Sequence, residues 1–165
     1  MSLVLGVVSD THNRVSHVEK IIDIFNANNV DCVVHTGDIT QAKTLKKFSR
    51  LDSTLIGVFG NNDLKEEGLK ETSQECGFNL QHPPLITNMG GRRIAIIHEP
   101  DGITEIMEND TCLDLILHGH THKYRLEEIK GVKIFNPGEC AGMLEGKNSV
   151  GLICLRDLKI KRIFF

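Results

Sequence analysis

Five short apolar runs in this chain each stop at a residue able to ligate a metal, and no other feature limits its fold so tightly. Residues 3–8 lead into Asp10 and His12, residues 32–35 into Asp38, and residues 54–59 into Asn61, Asn62 and Asp63. Residues 92–97 lead into His98, and residues 113–117 into His120 and His122. Runs this short and this continuously apolar suit strands buried on both faces. In open α/β sheets, ligands bind outside the carboxyl ends of the strands, so side chains distant in sequence converge there. Glycines 37, 60 and 119 precede Asp38, Asn61 and His120 and are read as letting the backbone turn sharply at those points.

Helical patterns separate the first three runs. Val15, Val18, Ile21, Ile22 and Phe25 recur at three- and four-residue steps, with Ser16 and Glu19 at capping-box spacing and the NANN stretch at 26–29 as the stop. Residues 42–50 and 64–76 give two more helices, the second ended by Gly77. This β-α-β-α-β-α order predicts a sheet with parallel strands. The second half changes to hairpins: 85–89 with 92–98 around Gly90 and Gly91, 124–129 with 132–135 around Lys130 and Gly131, and 149–155 with 159–165 around RDLK. A short helix at 103–108 precedes the run 113–117.

A chain of 165 residues predicts one domain, 1–165, large enough to bury a core without staples. The net charge of −3 and the lack of any lysine- and arginine-rich block argue against a stable nucleic-acid complex. Five scattered cysteines without a CxxC pair, and no signal peptide, point to reduced thiols and a cytoplasmic setting. No apolar stretch approaches the roughly 18 residues that span a bilayer, so no membrane partner is expected. The closing KIKRIFF places Phe164 and Phe165 either in the core or in a homodimer contact.

Asp10, His12, Asp38, Asn61, His98, His120 and His122 offer imidazole, carboxylate and amide donors and no thiolate, a set suited to Mn, Fe, Co, Ni or Zn. Seven donors are too many for one tetrahedral ion and suit two ions if one carboxylate bridges. Two divalent ions set against Asp10, Asp38 and a hydroxide leave a small positive charge, which attracts an anion such as phosphate. Any one of these motifs alone is weak; five together, each at a strand end, carry the reading. His17 and His82 read as surface or satisfied residues, His35 as part of its strand, and His118 as either a strand end or a ligand. Glu99, held extended by Pro100, reads as a solvated loop residue, and Cys140 in NPGEC as a packed thiol.

The motifs Asp10-Thr11-His12, Gly37-Asp38, Gly60-Asn61-Asn62-Asp63, His98 and Gly119-His120-Thr121-His122 resemble those of the calcineurin-like metallophosphoesterase superfamily. The small size and the NPGE stretch at 136–139 are similar to its compact archaeal and bacterial phosphodiesterase branch. The resemblance implies an α/β fold, a four-layer α-β-β-α sandwich of two mixed β-sheets. It implies two divalent ions, one held by Asp10, His12 and His122 and the other by Asn61, His98 and His120, with Asp38 bridging. It further implies a phosphodiesterase acting on a small-molecule phosphate ester, in which a hydroxide shared by the ions attacks phosphorus in line. Asp38 and Asn62 are then the candidate catalytic residues. The family often has His where this chain has Asn62; an amide donates a hydrogen bond but delivers no proton, so good leaving groups are favoured. His98-Glu99-Pro100 stands where many relatives have His-Gly-His, which removes a phosphate contact. A phosphomonoesterase or nucleotide pyrophosphohydrolase shares the same metal site and stays open. So does a non-catalytic binding scaffold: a retromer subunit of eukaryotes has a similar fold with a degraded metal site. The complete ligand set favours catalysis.

Overall fold

A computed structural model describes residues 2–144 and 146–165. The elements follow in the order β1 (Val4–Val8), α1 (Val15–Ala27), β2 (Cys32–His35), α2 (Ala42–Lys47), β3 (Thr54–Val58), α3 (Leu69–Glu75), β4 (Asn79–Gln81), β5 (Leu85–Met89), β6 (Arg92–Ile96), α4 (Ile103–Asn109), β7 (Leu115–Leu117), β8 (Arg125–Ile129), β9 (Val132–Asn136), β10 (Ser149–Cys154) and β11 (Lys159–Phe164). One sheet has the order β11-β10-β1-β2-β3-β4 and the other β5-β6-β7-β9-β8. In the first, β1 to β4 are parallel, β10 runs antiparallel to β1, and β11 runs antiparallel to β10 at the edge. In the second, β6, β7 and β9 are parallel, flanked by antiparallel β5 and β8. Both sheets are mixed.

Strand alternation sorts the side chains into three apolar interfaces. Val8, Val33 and Leu55 point from the first sheet to Val18, Ile21, Ile22 and Phe25 of α1, Leu45 of α2 and Leu69 of α3. Leu5, Val7 and Val34 point the other way, to Ile94, Ile96, Leu115, Leu117 and Phe135 of the second sheet. Ala95, Ile116 and Ile134 face outward under Ile103, with Ile106 and Met107 of α4 against them. Three interfaces make four layers, the α-β-β-α sandwich that the resemblance implies.

The differences from the sequence reading are local. The Ser16/Glu19 capping box does not form: α1 starts at Val15, its N-cap Arg14 makes no side-chain cap bond, and Glu19 instead lies 3.6 Å from Lys47 and 3.9 Å from Arg50. The helix read at 64–76 begins only at Leu69, because Gly68 sits in the left-handed region at φ 80°. The helix read at 42–50 ends at Lys47 and tightens into a 3₁₀ turn at Phe48–Arg50. The strand β4, with only Leu80 to mark it as apolar, carries too weak a pattern to be read. Phe165 packs into the first interface and sits edge-on to His17, whereas Phe164 is exposed beneath Arg162.

Candidate metal centre

The carboxyl ends of β1, β2 and β3 in one sheet and β6 and β7 in the other open onto a common place, and the seven candidate residues gather there. Asp10, His12 and His122 each bring a donor atom within 4.8 Å of the other two, and so do Asp10, Asp38 and His98. Asp10 is shared by the two groups. Asp38 spans them as well, with Oδ2 3.7 Å from His12 Nε2 and Oδ1 3.5 Å from His98 Nε2. Asn61 Oδ1 lies 2.9 Å from His98 Nε2 and 3.1 Å from His120 Nδ1, which ties these three together. The Asn62 amide donates to Asp38 Oδ2 at 2.7 Å and its backbone N–H to Asp38 Oδ1 at 3.0 Å, so Asn62 caps that carboxylate.

The local backbone is unusual. Asp10, His12, Asp38, His120 and His122 all have positive φ, between 43° and 68°. For non-glycine residues this costs of order 1–3 kcal/mol each and persists only where the surroundings over-determine it. Of the three glycines read as turn-makers, only Gly37 has positive φ, at 108°. The other two serve by being small: a Cβ on Gly60 would collide with Asp38, and one on Gly119 with Ser9 and Asp10.

The hydrogen bonds fix which nitrogens face inward. His98 Nδ1–H donates to the Thr36 carbonyl at 2.8 Å, and His122 Nδ1–H to Glu139 Oε2 at 3.3 Å. In the neutral ring each Nε2 is then bare and faces carboxylate oxygen, Asp38 Oδ1 for His98 and Asp10 Oδ1 at 3.6 Å for His122, whereas a protonated His98 donates from Nε2 to Asp38. Lone pairs facing lone pairs call for a positive charge between them. Asp10 Oδ1 and His12 Nε2 are buried with no hydrogen-bond partner among the described residues. Donors of this kind, with an outer hydrogen bond holding each imidazole, fit a divalent ion.

The titration directions agree. Burial raises the pKa of Asp10 despite the Ser9 hydrogen bond and the nearby His98 and His122. Burial opposes ionisation of Asp38 too, but hydrogen bonds from His98 and Asn62 outweigh it and hold that carboxyl well below the usual range. Burial likewise opposes charging of His98, yet the Asp38 and Asp10 carboxylates raise its pKa. Without a metal, a proton on His98 takes the place of a cation.

Three supporting residues escaped the sequence reading. Ser9 Oγ–H donates to Asp10 Oδ2 at 2.5 Å, and no pattern announces it. Asp63 accepts the backbone N–H groups of Asp38 at 2.9 Å, Thr40 at 2.6 Å and Gly60 at 2.7 Å, pinning two ligand loops together. It stands inside the Gly60-Asn61-Asn62-Asp63 motif, which was the available signal. Glu139, fully buried in NPGE, holds His122 and accepts the backbone N–H groups of Met143 and Leu144.

The remaining histidines are not members of the two donor groups, and His118, read as either a strand end or a ligand, is among them. His17 Nδ1–H donates to the Cys140 carbonyl at 2.8 Å. His35 accepts Gly37 N–H at Nδ1 and donates from Nε2 to Thr11 Oγ1 at 3.0 Å. His118 donates to the Gly119 carbonyl, His82 is exposed beside Phe59, and Glu99 is exposed. Cys140 is fully buried, and burial pushes its thiol pKa far up.

A two-sheet sandwich with carboxylates and imidazoles at the strand ends defines a metal-dependent phosphoesterase. Residues 3–158 match the calcineurin-like phosphoesterase superfamily domain, and the chain belongs to that superfamily. It is similar to the phosphodiesterase MJ0936 of Methanocaldococcus jannaschii, at 32% identity over 90% of this chain and 91% of that protein. A solved archaeal phosphodiesterase superposes with TM-score 0.90 at 30% identity, covering 99% of this chain and all of the other. Vps29 of Entamoeba histolytica, in a single-mutant form, shares the fold at TM-score 0.69 and 19% identity, with 99% of both chains covered.

Proposed function

We propose that the protein is a dinuclear phosphodiesterase that hydrolyses small-molecule phosphate diesters in the cytoplasm. The observation that carries this reading is the pair of donor groups sharing Asp10, with bare Nε2 atoms of His98 and His122 aimed at carboxylate oxygens. Asp10, His12 and His122 hold one divalent transition-metal ion, Asn61, His98 and His120 the other, and Asp38 bridges. When bound, such a pair supplies a water-derived nucleophile near neutral pH and neutralises charge on the phosphate oxygens. The protein's part is orientation. Glu139 and the Thr36 carbonyl fix the imidazole tautomers, Asp63 fixes the Asp38 loop, and Asn62 holds the Asp38 carboxylate. The 32%-identical phosphodiesterase supports diesters over monoesters as substrate.

The test is to strip the protein of metal and restore Mn, Ni, Co, Zn or Mg one at a time. Hydrolysis of bis(4-nitrophenyl) phosphate and 4-nitrophenyl phosphate is then measured for wild type and Asp38→Asn. Metal-dependent turnover of the diester above the monoester is expected, with Asp38→Asn slower by about a hundredfold or more. A variant as active as wild type would remove Asp38 from the bridging role, and a monoester preference would overturn the diester reading.

A further inference from the structure

Beside the Asn61 and His98 half of the centre lies a cleft of about 640 Å³, which the metal chemistry does not use. Its volume falls within the range of small-molecule sites. Asn61 and His98 form its inner end, and Phe59, Leu64, Ile86, Ile97 and Ile106 form apolar walls. His82 adds a second ring, 5.8 Å from Phe59 and tilted 63° to it. Glu99, Glu105 and Asp110 sit on the rim, and among the described residues no lysine or arginine lines the cleft. Asp110 is already engaged by Arg93 at 2.6 Å, which leaves Glu99 and Glu105 as exposed carboxylates.

We infer that this cleft is a specificity subsite for one substituent of the phosphate, an aromatic group that is neutral or carries a hydrogen-bond donor or a positive charge. The inference rests on the phosphodiesterase reading for the seat of the phosphate itself. Apolar walls with two aromatic rings reward an aryl group by burial and edge contact. An all-acidic rim repels a second anionic group, so carboxylated or polyphosphorylated esters are excluded.

Two measurements test it. The first compares kcat/KM for methyl, phenyl and 3-carboxyphenyl 4-nitrophenyl phosphates, which share one leaving group, on zinc-loaded protein. The phenyl ester is expected to exceed the methyl ester by about tenfold or more, and the carboxyphenyl ester to fall about tenfold below the phenyl ester. Leu64→Ala, at an exposed residue of the cleft wall, should cut the phenyl advantage and leave the methyl ester unchanged. Glu105→Lys, an exposed change that leaves the fold intact, should restore the carboxyphenyl ester. Equal rates for all three esters in wild type overturn the subsite.

The second measurement needs no turnover. Isoleucine methyl NMR of the zinc-loaded protein is followed during titration with phenylphosphonate and methylphosphonate. Phenylphosphonate should bind about tenfold tighter and shift Ile86 and Ile106. Equal affinities, or shifts of the same methyls on simple concentration of the protein, overturn the inference, the latter by giving the cleft to a second copy. If no diester is hydrolysed but phenylphosphonate still binds tighter and shifts these methyls, the subsite stands and the phosphodiesterase reading falls.

Discussion

His35 is fully buried between Thr11 and Gly37, one residue from each arm of the centre by hydrogen bond. Burial, with repulsion from His98, lowers its pKa from 6.5 to about 3. In the unfolded chain it titrates normally, so between those two values the unfolded state binds more protons. Stability therefore falls as pH drops through 6.5 towards 3. Metal-free wild type should lose about 2 kcal/mol from this residue between pH 7 and pH 5, read by urea unfolding. His35→Gln, whose amide spans the same partners without ionising, should lose that much less over the same interval. All seven candidate ligands were legible because Asp, His and Asn at strand ends are chemically conspicuous. Ser9 was not, since one hydroxyl beside an aspartate looks like any turn serine. The left-handed backbone of Asp10, His12, Asp38, His120 and His122 was invisible as well, because none of the five is a glycine.

Among the elements, two helix ends carry a backbone signal that the sequence announces. Gly77, at φ 70°, closes α3: its N–H bonds to the Gln74 carbonyl at 3.1 Å and the Phe78 N–H to Ser73 at 2.8 Å, the Schellman arrangement. Asn29, at φ 48°, does the same for α1 through Asn26 and Phe25. A Cβ on Gly77 would meet nothing within 4 Å, so Gly77→Ala isolates the backbone cost. The change should destabilise by about 1 kcal/mol in a denaturant titration and leave kcat/KM unaltered. The hairpin turns at Gly90-Gly91 and Lys130-Gly131 also fall where their dipeptides put them, with Met89 opposite Arg92 and Ile129 opposite Val132. The start of α3 was harder, because it lacks a side-chain cap and follows the left-handed Gly68, with Leu69 packed into the core.

For the whole molecule, the four-layer order was expected from the family resemblance, and it agrees with β1, β6, β7 and β9 putting apolar side chains on both faces, as a strand buried on both sides must. What strand patterns alone do not encode is that the two sheets bring the same ends together. Asp10, Asp38 and Asn61 follow strands of one sheet, and His98, His120 and His122 follow strands of the other. Saturating zinc, at about a hundred times its dissociation constant, should therefore add about 2.7 kcal/mol for each of two ions and raise Tm by roughly 10–20 °C in a calorimetric scan. His98→Ala should abolish most of that rise. Because the candidate donors are divided between the two halves, bound cations would act as a clasp across the seam. A cell short of transition metal would then hold a protein that is looser as well as idle, and its lifetime under heat or protease should track the metal supply.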